Sequence, residues 1–312
     1  MTATPQQPSE GTNNRFSYPP VLARVTRILA EAGVDAPRTE AELLAAHVLG
    51  VPRGRLLLVD GFRPDQLDRL TGLVTRRAAR EPLQHLTGTA GFRHLELAVG
   101  PGVFVPRPET ELLAGWGIDR ARRSAEPLVV DLCSGSGAVA LAVAQEVPTA
   151  RVVAVERSAA ALVWLRRNAG DRAAAGDRPV EVVEADVTAP DLLDALVGRV
   201  DVLLCNPPYV PAGTAVPPEV ADDPAEAVFG GADGLDVVRP VVARAARLLR
   251  PGGALAVEHD DTHGRAVPDL ITADGRFEAV TGHADLAGRP RFTTALRRPG
   301  DASGPAWQTG SS

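Results

Sequence analysis

The sequence predicts a doubly wound α/β domain behind a small all-helical domain, and three observations carry that prediction. Six short apolar runs, at 128–132, 151–156, 180–186, 200–206, 253–259 and 292–297, alternate with helical patterns that open at Gly137, Ala159, Asp191 and Asp236. Continuous apolar runs of this kind are how strands covered on both faces of a parallel sheet read. The stretch from Val21 to Arg80 carries helix spacing and no strand pattern. The length of 312 residues suits two domains at roughly 150 residues each. With 45% hydrophobic and 23% charged residues, the chain is not wholly disordered.

Taken in order, residues 1–18 are polar and proline-rich and are expected to form a flexible tail. A helical domain follows at 19–85. Val21, Val25, Ile28 and Leu29 recur at helix spacing and stop at Gly33. Thr39 and Glu42 have the spacing of a capping box, ahead of a helix ending at Gly50. Asp65 opens a third pattern through Leu67, Leu70, Leu73 and Val74. Residues 86–107 are punctuated by glycine and hold FRHLELAV (92–99) and GVFV (102–105), which fit strands of a hairpin-like connector. Pro108 stands where a first helical turn starts, with Glu109 and Glu111 favourable near a helix N-terminus. The α/β domain then occupies 108–298, and 299–312 reads as a second flexible tail.

Charge and composition exclude several chemistries. There are 33 basic and 39 acidic residues, for a net charge of -6, and every basic residue is arginine. Without lysine there is no Schiff base, no lysine nucleophile and no Walker-type phosphate lysine. The acidic balance argues against stable, sequence-independent nucleic-acid binding, which needs many phosphate-neutralising cations. Two cysteines, Cys133 and Cys205, are too few for a disulfide framework. The N-terminus lacks the basic-then-apolar order of a signal peptide, and no apolar run approaches the roughly 20 residues of a membrane span. A soluble cytoplasmic protein is expected. The six histidines show no metal-ligand spacing, so no metal is expected. Arg76, Arg77 and Arg80 read as a solvated helix face.

The first motif with chemistry is a glycine turn. VVDLCSGSGAVALAVA reads as strand, turn, helix, with Gly135 and Gly137 permitting tight backbone and close ligand approach. Nineteen positions after Gly137, Glu156 ends the next strand, where an acid can accept from both hydroxyls of a ribose. Asp186 ends the strand after that and is placed to receive an adenine amino group. The GxGxxG fingerprint is not met, because Ala140 takes the last position, although alanine is tolerated there. On this segment alone both S-adenosylmethionine and NAD are open.

The second motif is Asn206-Pro207-Pro208-Tyr209, directly after an apolar strand. The prolines stop the strand where ligands bind in parallel sheets. These residues suit methylation of a planar, weakly nucleophilic –NH2. The Asn206 side-chain oxygen and the Pro207 carbonyl can hold its two hydrogens while the nitrogen becomes pyramidal, and Tyr209 can stack on the planar group. No strong base is needed against a sulfonium methyl donor, so proximity and alignment carry the catalysis.

With EPLQHLTG (81–88), FVPRPETELL (104–113), DLCSGSGA (131–138), CNPPYVP (205–211), GADGLDVVR (231–239) and RLLRPGGALAVEH (247–259) in place, the chain resembles the HemK/PrmC family of release factor glutamine methyltransferases from about Val21 to Arg298. The resemblance implies a seven-stranded Rossmann-like methyltransferase domain that uses S-adenosylmethionine. It also implies a helical domain that helps dock peptide chain release factors, and methyl transfer to the glutamine of their Gly-Gly-Gln loop. Carried over by motif, Cys133, Ser134, Gly135, Ser136 and Gly137 hold the methionine part of the cofactor and Glu156 the ribose. Asp186 and Val187 flank adenine, and Asn206 to Tyr209 grip the glutamine. Phe104, Pro106 and Arg107 lie close to cofactor and substrate. Many relatives have glycine at the position of Cys133, serine at that of Cys205, and some an aromatic at that of Val187.

Two other substrates compete with that expectation: a ribosomal protein's glutamine, or the adenine and cytosine amino groups of nucleic acids, whose methyltransferases share the NPPY motif. A monomer is expected. Cys133 and Cys205, on neighbouring strand ends, are expected to make the enzyme sensitive to alkylation or oxidation.

Overall fold

A computed structural model describes residues 15–299; residues 1–14 and 300–312, the greater part of the tails expected at 1–18 and 299–312, lie outside these residues. Two compact units divide at Thr87 and Gly88.

The first unit is helical: α1 (Tyr18–Glu31), α2 (Pro37–Leu49), a 3-10 turn (Arg53–Leu58), α3 (Pro64–Ala78) and α4 (Leu83–Thr87). Leu22, Val25 and Leu29 form the buried stripe of α1 and meet Leu44, Phe62, Leu70 and Val74. The unit starts earlier than residue 19. Phe16 bridges to Phe62, and Tyr18 stacks on the Phe62 ring at 6.2 Å. The Thr39–Glu42 capping box does not form. Pro37 already starts the helix, and Glu42 instead accepts from Arg38 and Arg53 at 2.7 and 2.8 Å. Of the arginine run, Arg76 lies on an exposed face as expected, but Arg77 and Arg80 are turned into the unit. Arg77 is 3% exposed and binds Glu40, Arg80 donates to the Gly33 carbonyl at 2.7 Å, and Arg76 pairs with Glu81.

The second unit opens with an antiparallel hairpin, β1 (Thr89–Phe92) and β2 (Leu95–Ala98). The sequence reading set it differently. FRHLELAV is not one strand, because Arg93 turns the chain at φ 52, and GVFV carries no strand. After α5 (Thr110–Ala121) come β3 (Leu128–Leu132), α6 (Ala138–Glu146), β4 (Arg151–Glu156), α7 (Ala159–Ala174), β5 (Glu181–Glu184) and β6 (Val200–Cys205). Two short helices, α8 (Pro218–Ala221) and α9 (Ala225–Val228), precede α10 (Val238–Leu248), β7 (Leu249–Glu258), α11 (Ala266–Ala273), β8 (Phe277–Ala284) and β9 (Pro290–Arg297).

The seven strands lie in the order β5-β4-β3-β6-β7-β9-β8, parallel except for β9. Successive side chains point to opposite faces. Val129, Val152 and Leu204 therefore join Leu113, Leu141 and Leu165 in one core layer. Val130, Val153 and Leu203 join Val241, Val242 and Ile271 in the other. The six expected strands are present. The seventh, β8, is an edge strand whose mostly exposed residues leave no apolar run to read. The helix expected from Asp191 is only a 3-10 turn, Asp194–Leu196, entered through Leu193 at φ 53. No described helix is long and apolar enough to cross a membrane.

Strand order reverses direction between β3 and β6, and in such sheets the crevice outside the carboxyl strand ends at this switch is where ligands bind.

Candidate active site

A cavity of about 380 Å³ opens at those strand ends. Its wall includes every sequence-predicted site residue except Gly137: Phe104, Arg107, Cys133 to Ser136, Glu156, Asp186, Val187 and Asn206 to Tyr209. Gly137 stands directly behind, as the N-cap of α6 at φ 88. A Cβ there would come within 2.6 Å of Leu165 and 3.1 Å of Leu141, so both conformation and packing demand glycine.

Glu156 knits the turn to its own strand. Oε2 accepts the Gly135 N–H at 2.8 Å, and Oε1 accepts those of Arg157 and Ser158, each at 2.8 Å. A carboxylate offers about four acceptor positions, so one is left, on Oε2. Asp186 is similarly engaged. Oδ1 accepts from the Thr188 N–H and hydroxyl, both at 2.7 Å, and Oδ2 from Arg157 at 3.1 Å. These partners, Thr188 first and then Arg157, hold the Asp186 carboxyl below its ordinary range. Asp131, at the root of the turn, is 1% exposed, and burial pushes its carboxyl up to about 7.

The Asn206–Tyr209 corner follows β6. The Asn206 Nδ2 donates to the Thr110 hydroxyl at 3.1 Å, and the Tyr209 hydroxyl donates to Glu258 at 3.0 Å. Burial also raises the Tyr209 phenol well above its ordinary value. The corner is braced from outside by the chain at 228–234. Val210 and Val228 share a hydrogen bond, and Gly230 donates back to the Val210 carbonyl. A Cβ at Gly234 would meet the Tyr209 carbonyl at 2.3 Å.

Residues 214–228 supply another wall, with Val216, Pro217, Val220, Ala227 and Val228 facing the cavity. Asp223 anchors this strap. Its carboxylate accepts the Val105 N–H at 3.2 Å and pairs with Arg107, which also lies 4.8 Å over the Phe104 ring. Thr110, Asp223, Gly234 and Glu258 were not singled out from sequence, although the first lies inside the PRPET segment and the last ends the LAVE run.

Among the described residues no group of histidine, cysteine or acidic side chains could hold a metal ion. The Cys205 thiol is buried, its ionisation pushed up by that burial.

The PrmC N-terminal domain family matches residues 21–88, and the Methyltransferase small domain family matches 118–223. A release factor glutamine methyltransferase of Mycolicibacterium smegmatis is 56% identical, over 88% of this chain and 96% of its own. Those of Streptomyces coelicolor (51% identical, over 88% of this chain and 96% of its own) and Mycobacterium tuberculosis (50%, over 86% and 88%) are also similar. Identity at that level across both units means that the chain belongs to the release factor glutamine methyltransferase family.

Proposed function

We propose that this protein transfers a methyl group from S-adenosylmethionine to the side-chain amide nitrogen of the glutamine in the Gly-Gly-Gln motif of peptide chain release factors. One observation carries the proposal: Asn206 to Tyr209 share a cavity with the glycine turn and Glu156. A corner and a glycine turn that border one cavity support reading the first as gripping an amide and the second as binding a nucleoside. The names of relatives that match both units support a protein amide over a nucleic-acid amine as substrate.

The chain's own residues fit such a donor. The wall acids Asp131, Glu156, Asp186, Glu226 and Asp260 outnumber Arg107 and Arg157, which suits a sulfonium cation. A Cβ at Gly135 would meet nothing within 4 Å, so the turn opens onto space. In this reading Cys133 to Gly137 hold the methionine portion, and Glu156 binds a ribose hydroxyl through its remaining acceptor position. Asp186 and Val187 flank the adenine. S-adenosylmethionine supplies an electrophilic methyl group on a sulfonium sulfur.

The protein's task is then to align a poor nucleophile. An amide nitrogen shares its lone pair with the carbonyl. Because Asn206 donates Nδ2 to Thr110, its Oδ1 is the atom left to accept one substrate N–H. The Pro207 carbonyl accepts the second, and the pair favours a pyramidal nitrogen with its lone pair freed. Tyr209 covers the planar face. Phe104 and Arg107 contact the substrate while Asp223 holds the arginine in place. No wall residue must act as a base, since the proton leaves to water after transfer. The helical unit contributes docking of the release factor, and the enzyme works as a cytoplasmic monomer.

Mass spectrometry of a release factor incubated with the protein and S-adenosylmethionine tests this. One added methyl on the Gly-Gly-Gln glutamine is expected. Label entering a ribosomal protein, DNA or ribosomal RNA but not the release factor would overturn the choice of substrate. Asn206→Ala should lower kcat by at least about 100-fold and leave cofactor affinity intact.

A further inference from the structure

We infer that Asn168 is a positioning residue that locks the glycine turn to the segment 98–107, keeping cofactor and substrate in register, an inference that rests on the reading just proposed. Asn168 lies on α7, is 3% exposed and stands outside the cavity wall. All the hydrogen bonds of its amide go to backbone. Oδ1 accepts the Ala98 N–H at 2.8 Å, and Nδ2 donates to the Ala98 carbonyl at 3.0 Å and to the Ser136 carbonyl at 2.9 Å.

Ala98 dictates how the amide is turned. It ends β2, and the residue after it, Val99, gives its N–H to the Gly88 carbonyl at 3.1 Å, on the β1 side. Successive residues of a strand alternate in the edge to which they bond, so the Ala98 N–H and carbonyl face away from β1. Asn168 pairs them as a third strand would. Its oxygen must meet the N–H and its nitrogen the carbonyl, because the flipped amide would set N–H against N–H and oxygen against oxygen. The second hydrogen on Nδ2 is thereby aimed at Ser136. The Ser136–Gly137 peptide is then held at both of its polar atoms, its oxygen by Asn168 and its N–H by the Ser134 carbonyl at 2.8 Å.

The face of α7 that carries Asn168 also seats the rest of the segment. Ala160, Trp164 and Asn168 recur every four residues and so share that face. A Cβ on Gly100 would come within 2.5 Å of the Trp164 ring, and one on Gly102 within 2.9 Å of the Ala160 Cβ, so the backbone lies directly on the helix. Trp164 donates to the Pro101 carbonyl at 3.2 Å, and Ala161 packs with Val99, Val103 and Val105. From this seat the chain reaches Phe104 and Arg107 in the cavity wall. Trp164 therefore bonds to the segment, whereas Asn168 bonds to the segment and to the turn. A reacting centre is held only as well as the groups behind its wall. Without the Asn168 amide, the Ser136 carbonyl and the Ala98 peptide groups lose these partners together.

The test compares full-length wild type, Asn168→Leu, Asn168→Asp and Trp164→Phe. Hydrogen exchange reads the two segments, calorimetry reads S-adenosylmethionine affinity, and release-factor methylation reads kcat. Both Asn168 variants remove the bond to Ser136. Asn168→Asp keeps the side-chain shape and the acceptor for the Ala98 N–H, so it reports even if Asn168→Leu does not fold. Each should raise exchange at 98–107 and at 133–137 together. Each should also weaken cofactor binding by about tenfold and lower kcat at saturating cofactor by about 100-fold, the scale of a 1 Å displacement. Trp164→Phe should raise exchange at 98–107 alone and keep cofactor affinity within about twofold of wild type. Folded Asn168 variants with a lower unfolding temperature but wild-type affinity and kcat would overturn the inference. So would exchange that rises in one segment alone in those variants, or an equal loss of affinity in Trp164→Phe. Wild type that binds S-adenosylmethionine but methylates no release factor would instead overturn the proposed substrate, with exchange and affinity still reading the link.

Discussion

Arg107 and Asp223 form an ion pair whose carboxylate side chain is wholly buried while the guanidinium is one-quarter exposed. The pair ties the PRPET segment to the strap at 214–228, and the same carboxylate also holds the Val105 N–H. Removing one partner of a buried pair typically costs about 3–5 kcal/mol, because the other charge is left desolvated. Arg107→Leu should therefore lower the unfolding temperature and loosen the strap, weakening S-adenosylmethionine binding by about tenfold, or roughly 1.4 kcal/mol. Adding Asp223→Asn should return part of the stability without restoring affinity. Equal stability losses in the single and double variants would show that the buried charge is not the cause.

Asp131 gives a pH prediction of opposite sign to that of a paired surface acid. Its folded-state value is raised from 3.8 to about 7, first by burial, with Ser134 and the Ala140 N–H opposing. A raised acid costs nothing below its unfolded value, then destabilises the fold progressively until pH passes the folded value. The full cost is on the order of 4 kcal/mol at about 1.36 kcal/mol per unit. Asp131→Asn should thus gain stability relative to wild type as pH climbs from 4 to 7. Denaturant unfolding across that range measures the difference, and a constant gap between the two proteins would refute the assignment.

Asp223, like other residues that brace the cavity, is not legible in the sequence, whereas the sheet around it is. The parallel strands were legible because burial on both faces leaves unbroken apolar runs, as in Val152 to Val155. β8 was not, because one of its faces meets solvent and its register with β9 is irregular. The hairpin turn was misplaced because a non-glycine residue, Arg93, adopts positive φ there. Its conformation is held from afar, by Glu111 accepting its backbone N–H and Glu146 its guanidinium. The cavity motifs were legible because each is contiguous. Thr110 and Glu258 were not, since one starts a helix, the other ends a strand, and only tertiary packing sets Thr110 against Asn206 and Glu258 against Tyr209.

The two thiols should behave differently. Cys133 lines the cavity and is half-buried, whereas Cys205 is wholly buried with its thiolate disfavoured. Reactivity follows thiolate content and access. Iodoacetamide should label Cys133 and spare Cys205 in the native protein, and S-adenosylmethionine should slow the labelling. Peptide mapping reads both; equal rates with and without cofactor would place Cys133 outside the cofactor's footprint.

Gly234 makes the most local prediction. At φ 75 it occupies a backbone region that side chains disfavour, and a Cβ would lie 2.3 Å from the Tyr209 carbonyl and 2.6 Å from the His263 ring. The first of these contacts is backbone and cannot swing away, so the Tyr209 peptide must move. Strain of that kind costs about 1–3 kcal/mol where the surroundings hold firm. Because the displaced carbonyl belongs to the corner itself, Gly234→Ala should lower kcat more than it lowers cofactor affinity. A 1 Å displacement of a positioned group is enough for a loss of about 100-fold. Gly213→Ala is the control, since that glycine also has positive φ but nothing within 4 Å of a Cβ. It should cost stability alone. If both alanine variants lose the same activity, strain in the backbone and not contact with Tyr209 is responsible.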